Sequence, residues 1–221
     1  MVNELNKFIS HYTDLEISGR KFHCPYWSNK LKDGRVIFRG FGNGKGDWAK
    51  IKEKLENILK TSENRVRILS DSLLFQKYSK RNRIGIDCSG FVFRVLEHFV
   101  DLSSVFKEGI NKTGAGTLTD KKFCTRITSV EMIQPLDLIR LNKGKHIALI
   151  AGMSKNHLNY VHSSNLTEVQ GVHMGLIKVR QKHKDLLYQL WTEKTKKGEN
   201  FGKKYLHHYH GDGIYRLKIL D

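Results

Sequence analysis

The chain has 221 residues, with 39 Lys and Arg against 22 Asp and Glu, a formal net charge of +17 and a pI near 9.8. A hydrophobic content of 39% with only two prolines excludes a disordered chain and suits one sizeable core with a small appended subdomain. The positive charge is spread through the chain and predicts attraction to polyanions, whether cell-wall polymers, acidic membrane surfaces or nucleic acid, yet no RNA-recognition, zinc-finger or helix-turn-helix pattern accompanies it.

Residues 3–11 predict a short helix. Residues 1–9 lack the apolar core of a signal peptide, and no stretch approaches the roughly 18 apolar residues of a membrane helix. A cytoplasmic location is therefore expected, with any action on a cell wall following lysis, export by a dedicated or non-classical route, or release from a precursor. The segment from Pro25-Tyr26-Trp27 to Arg35-Val36-Ile37-Phe38 reads as a turn-rich strand pair with Asp33-Gly34 as its tight turn. Tyr26 and Trp27 either line a substrate groove or belong to the core. Residues 40–47 are dense in glycine and read as an anion cradle or as a plain turn. They are not a phosphate loop of the usual kind, because Lys45 is followed by Gly46 instead of Ser or Thr. Ile51, Leu55, Ile58 and Leu59 then mark an amphipathic helix with Asp47 as its N-cap. Residues 1–60 are thus expected as an accessory region ahead of a domain over 61–221.

Cys88 opens the most informative segment. From it, Phe91, Val92, Val95, Leu96 and Phe99 recur at the spacing of a helix packed on a core, with Asp87 as N-cap. A thiol in the first turn lies beside unpaired amides and the positive end of the helix dipole, which favours a reactive thiolate. The other cysteines, Cys24 and Cys124, leave an odd and widely spaced count that reads neither as a disulfide framework nor as a zinc site. Beyond the Lys- and Gly-bearing stretch 101–135, Leu136 to Leu141 enters a strand. His146 opens the apolar run Ile147-Ala148-Leu149-Ile150-Ala151, a strand buried on both faces, and Leu158 to Ser163 returns as its partner. His146 and His162 fall on neighbouring strands whose register the sequence leaves open, so Asn159, Asn165 and His157 are alternatives to His162.

The residues Asp87-Cys88-Ser89-Gly90-Phe91-Val92, the Leu136 to Ile139 strand, His146-Ile147-Ala148-Leu149-Ile150-Ala151-Gly152 and Tyr160-Val161-His162 resemble the NlpC-type branch of the papain-like cysteine peptidases over about 70–221. The resemblance implies an α+β papain-like fold in which a helix-borne Cys packs on a mainly antiparallel sheet, here over about 136–141, 146–153, 158–163, 176–181 and 213–220. It implies Cys88 as nucleophile, His146 as base and His162 as the group orienting the base, with no metal or cofactor. Family members carry a Tyr and a Gly pair ahead of the Cys. Here Tyr78 is followed by Ser79-Lys80-Arg81, which leaves Tyr78 as a candidate for substrate or oxyanion contact along with Asp87 and Ser89. The implied substrate is a peptidoglycan stem peptide or another peptide-bearing anionic polymer. Two other readings stand beside it: a basic binding module of the same fold without turnover, and a thiol acyltransferase or lipid hydrolase, a group in which the His often precedes the Cys.

Overall fold

The structure, a computed structural model, describes residues 1–33 and 35–221. Gly34, half of the expected Asp33-Gly34 turn, lies outside them. Helix α1 (Val2–Thr13) buries Leu5, Ile9 and Tyr12, one stripe at helical spacing. Strands β1 (Leu15–Ile17) and β2 (Arg20–Phe22) form a small antiparallel pair, and β3 (Lys30–Lys32) with β4 (Arg35–Phe38) forms another whose residues are all exposed. Helices α2 (Trp48–Lys60), α3 (Arg65–Ser70) and α4 (Ser72–Arg81) follow, with Asp47 and Asp71 capping α2 and α4 through their carboxylates. Helix α5 (Cys88–Phe99) is capped by Asp87, as its sequence requires.

The remainder is dominated by one antiparallel sheet. Its strands are β5 (Cys124–Ile127), β6 (Leu138–Leu141), β7 (His146–Ser154), β8 (His157–Ser164), β9 (Gly171–Lys178), β10 (Leu190–Trp191) and β11 (Gly213–Leu217), in the spatial order β10-β9-β8-β7-β6-β11-β5. Short helices α6 (Ala115–Leu118) and α7 (Phe201–Tyr205) precede β5 and β11. The class is mixed α+β. Among the described residues no helix is long and apolar enough to cross a membrane.

Alternation along β7 sorts the core. Ile147, Leu149 and Ala151 meet the helices on one face, while Ala148 and Ile150 face Tyr160, Trp191, Phe201 and Ile214 on the other. The helical side of this core joins Leu5, Leu55, Val92 and Leu217, so residues 1–60 pack into the same interior as 61–221. Strands β5, β9 and β10 of this sheet depart from the sequence reading. β9 begins at Gly171, well ahead of 176, and β5 inside 101–135 closes one sheet edge by pairing with β11. Only the two ends of β5 are buried, so it carries no alternation to detect.

Candidate active site

The start of α5 is held from three sides. The Ser163 hydroxyl of β8 donates to the Ile86 carbonyl (2.6 Å), and the Ile86 amide donates to the Pro25 carbonyl (2.8 Å). Asp87 accepts from the Gly90 amide (2.7 Å), the Ser89 hydroxyl (2.8 Å) and the Lys45 ammonium (3.1 Å). Lys45 Nζ also donates to the Ser89 hydroxyl and to the Thr113 carbonyl (3.0 Å). Residues 40–47 therefore clamp the helix start through Lys45, which is buried and paired with Asp87. Gly90 is needed here, because a Cβ would press on the Gly44 carbonyl and the Lys45 side chain.

Cys88, at the first position of this helix, is 7% exposed. Burial pushes its thiol up to about 12, with the Asp87 charge adding to the rise and the Ile147 amide, Lys45 and the Ser89 amide opposing it. The sequence expectation of a ready thiolate is corrected: helix-start amides are outweighed by desolvation, and the resting group is a thiol. Burial likewise raises Cys124 to about 12 and Cys24 beyond it. Tyr26, not Tyr78, lies near Cys88. Its phenol is raised by burial and then by the neighbouring thiol, whereas the Tyr78 hydroxyl donates to the Ile58 carbonyl of α2 (3.1 Å). Trp27 belongs to the core.

The Ile147 amide beside the Cys88 sulfur brings β7 to the nucleophile, and His146 is the preceding residue. Its Nε2 lies 2.8 Å from His162 Nδ1. Asn159 is exposed and lies out of phase with His162 on β8, so the register leaves His162 as the partner of His146. Among the described residues no hydrogen bond joins Cys88 to His146, and His146 Nδ1 has no hydrogen-bond partner. Burial, then the neighbouring His162, holds His146 well below the ordinary imidazole range, and burial lowers His162 too. Both rings rest neutral near pH 7.

The chain of contacts continues past the predicted triad. His162 sits directly opposite His173 in the β8–β9 register, and their Nε2 atoms are 3.1 Å apart. Glu193, just past β10, brings Oε1 to 3.1 Å from His162 Nε2 and 2.6 Å from His173 Nε2, while its Oε2 accepts from the Tyr160 hydroxyl. His173 Nδ1 donates to the Gly171 carbonyl (3.0 Å). Gly175 lies opposite Tyr160 in β9, and a Cβ there would overlap the Tyr160 ring; glycine lets that ring cross toward Glu193. Burial alone would raise the Glu193 carboxyl, but the adjoining His162 and His173 outweigh it and hold it well below the carboxylate range.

A cavity of about 680 Å³ lies apart from these residues, between 101–135 and the C-terminus, lined by Phe106, Lys107, Lys112, Phe123 and Lys218. No protein family, curated protein or solved structure matches the chain. Sequence reasoning missed Lys45, His173 and Glu193 and weighed Tyr26 only as groove or core. A polar His inside the run Val172-His173-Met174 was the one signal for His173, and Glu193 carried none.

Proposed function

We propose that the chain is a cysteine hydrolase of the NlpC type on a papain-like fold, cleaving a peptide or amide bond, with a peptidoglycan stem peptide as its substrate class. The observation that carries the reading is the 2.8 Å contact of His146 Nε2 with His162 Nδ1, at the strand start whose next amide lies beside the Cys88 sulfur. With His146 Nε2–H donating to His162, the lone pair falls on Nδ1, the nitrogen left without a protein partner.

Because thiol and imidazole are both neutral at rest, attack is general-base catalysed rather than run from a preformed ion pair. The sulfur bonds to the scissile carbonyl carbon as His146 Nδ1 takes the thiol proton. The Cys88 amide and the Tyr26 hydroxyl are the donors for the resulting oxyanion. Collapse breaks the C–N bond, His146 returns the proton to the leaving amine, and a thioester remains. Water, deprotonated by His146, then releases the acid and restores the thiol. The experiment is hydrolysis of purified muropeptides: Cys88→Ala and Cys88→Ser lose turnover while keeping the fold, and Cys24→Ser and Cys124→Ser retain it. Wall fragments digested by Cys88→Ala as fast as by wild type end the reading. One observation favours a binding module without turnover, the high thiol pKa, and the same assay decides between the two.

A further inference from the structure

The cluster beyond the triad has one more acceptor than it has protons to share. His173 Nδ1 faces the Gly171 carbonyl, which can only accept, so Nδ1 carries the ring proton and Nε2 of the neutral ring presents a lone pair. That lone pair faces Glu193 Oε1 at 2.6 Å, and His162 Nε2 lies 3.1 Å from both atoms. Three ligand-type atoms converge on one point inside the protein, with the Thr167 hydroxyl 3.4 Å from His173 Nε2, and either a second proton on His173 or a bound cation reconciles them. Tetrahedral zinc with bonds of about 2.0–2.1 Å spaces its ligand atoms about 3.3 Å apart, near the two 3.1 Å edges of the triangle and wider than the 2.6 Å edge, which opens on binding. The outer contacts also match a metal site: the Gly171 carbonyl fixes the His173 tautomer, the Tyr160 hydroxyl holds the second Glu193 oxygen, and His146 meets the other nitrogen of His162.

We infer that His162 Nε2, His173 Nε2 and Glu193 Oε1 form a site for a divalent transition-metal ion of the zinc class, and that its occupation switches off the base. Two imidazoles and a carboxylate suit zinc and its first-row neighbours and disfavour calcium or magnesium. The second half rests on the peptidase reading and follows from counting hydrogens. A metal on His162 Nε2 puts the ring proton on Nδ1, which donates to His146 Nε2. The His146 proton then moves to Nδ1, and no lone pair remains for the Cys88 thiol. Without metal, His162 Nε2–H donates to Glu193, His162 Nδ1 accepts from His146, and Nδ1 of His146 is free to act.

Binding is measured on metal-free Cys88→Ala by calorimetric titration with zinc chloride, so that neither the thiol nor hydrolysis contributes. One ion per chain, bound at micromolar zinc or below and lost in both Cys88→Ala/His173→Gln and Cys88→Ala/Glu193→Gln with circular dichroism unchanged, is the expected result. Zinc-edge absorption of the wild type should report nitrogen and oxygen ligands. No stoichiometric binding, binding that survives both substitutions, or a sulfur ligand overturns the site. In the muropeptide assay zinc should stop the wild type and a chelator restore it, while the ratio of rates with and without zinc moves toward one in His173→Gln. Stoichiometric binding without any effect on a measurable rate overturns the switch. A wild type that binds zinc as expected but never hydrolyses muropeptides overturns the peptidase reading and leaves the metal site standing.

Discussion

Replacing His146 and replacing His162 have different chemical consequences, although the two rings touch. His146→Ala removes the acceptor for the thiol proton, a function whose loss typically costs about 10²–10⁴-fold. His162→Asn keeps an amide oxygen able to accept from His146 Nε2–H, so the base remains present and aimed. In metal-free protein the expected order of kcat/KM is wild type, then His162→Asn with measurable activity, then His146→Ala close to inactive; equal losses, or a larger one for His162→Asn, would mean that base and orienter have been exchanged. Which of these residues the sequence reveals follows from how each is placed. His146 and His162 are readable because each belongs to a recognisable strand, at its first position or within a Tyr-Val-His run. His173 is hidden because its strand begins five residues before the expected one, and Glu193 because its position depends on how β10 lies across β9, which no local pattern encodes.

At the level of elements, β7 and α5 were legible from their apolar pattern: nearly every residue of a central strand is buried, and the apolar positions of α5 recur at helical spacing although its first turns are buried on every side. The clamp that aims α5 was not, because Lys45 meets Asp87 across a sequence separation of 42 residues. That contact is expected to matter more than a surface ion pair. Lys45 and Asp87 side chains are 9% and 15% exposed, so removing the cation leaves a carboxylate desolvated and unpaired, at a cost of about 3–5 kcal/mol. Lys50 and Asp47 form a pair at 3.8 Å in which Lys50 is 73% exposed, where the loss should stay within about 0.5 kcal/mol. Urea unfolding of Lys45→Met and Lys50→Met tests the contrast directly, and similar midpoints for the two would remove the clamp from the account. Gly175 offers a second test at this scale. Gly175→Ala displaces the Tyr160 ring, frees one Glu193 oxygen from its donor and should lower stability, whereas Gly19→Ala meets no neighbouring atom and costs only its left-handed backbone.

For the whole molecule, the charge and the buried histidine cluster act together as the solution is acidified. His146 and His162 are lowered by burial from the ordinary imidazole value of about 6.5, so between 6.5 and their folded values the unfolded chain binds more protons. Their contribution to stability is fully present above pH 6.5 and is lost as pH falls through that window. Glu193, held below the ordinary carboxylate range, acts in the same direction at lower pH. A net charge of +17 with eleven histidines supplies a competing cause, since protonation of exposed rings adds repulsion to a chain already strongly positive. Salt separates the two, because at 1 M the screening length falls to about 3 Å and surface repulsion is largely removed, while neutral rings inside the core are little affected. Metal-free wild type should therefore lose urea stability between pH 7 and pH 5 even at 1 M sodium chloride, and His162→Asn, with one buried ring fewer to protonate, should show a shallower slope. A slope that vanishes in salt, or one that His162→Asn leaves unchanged, would assign the acid sensitivity to the surface charge and not to the cluster.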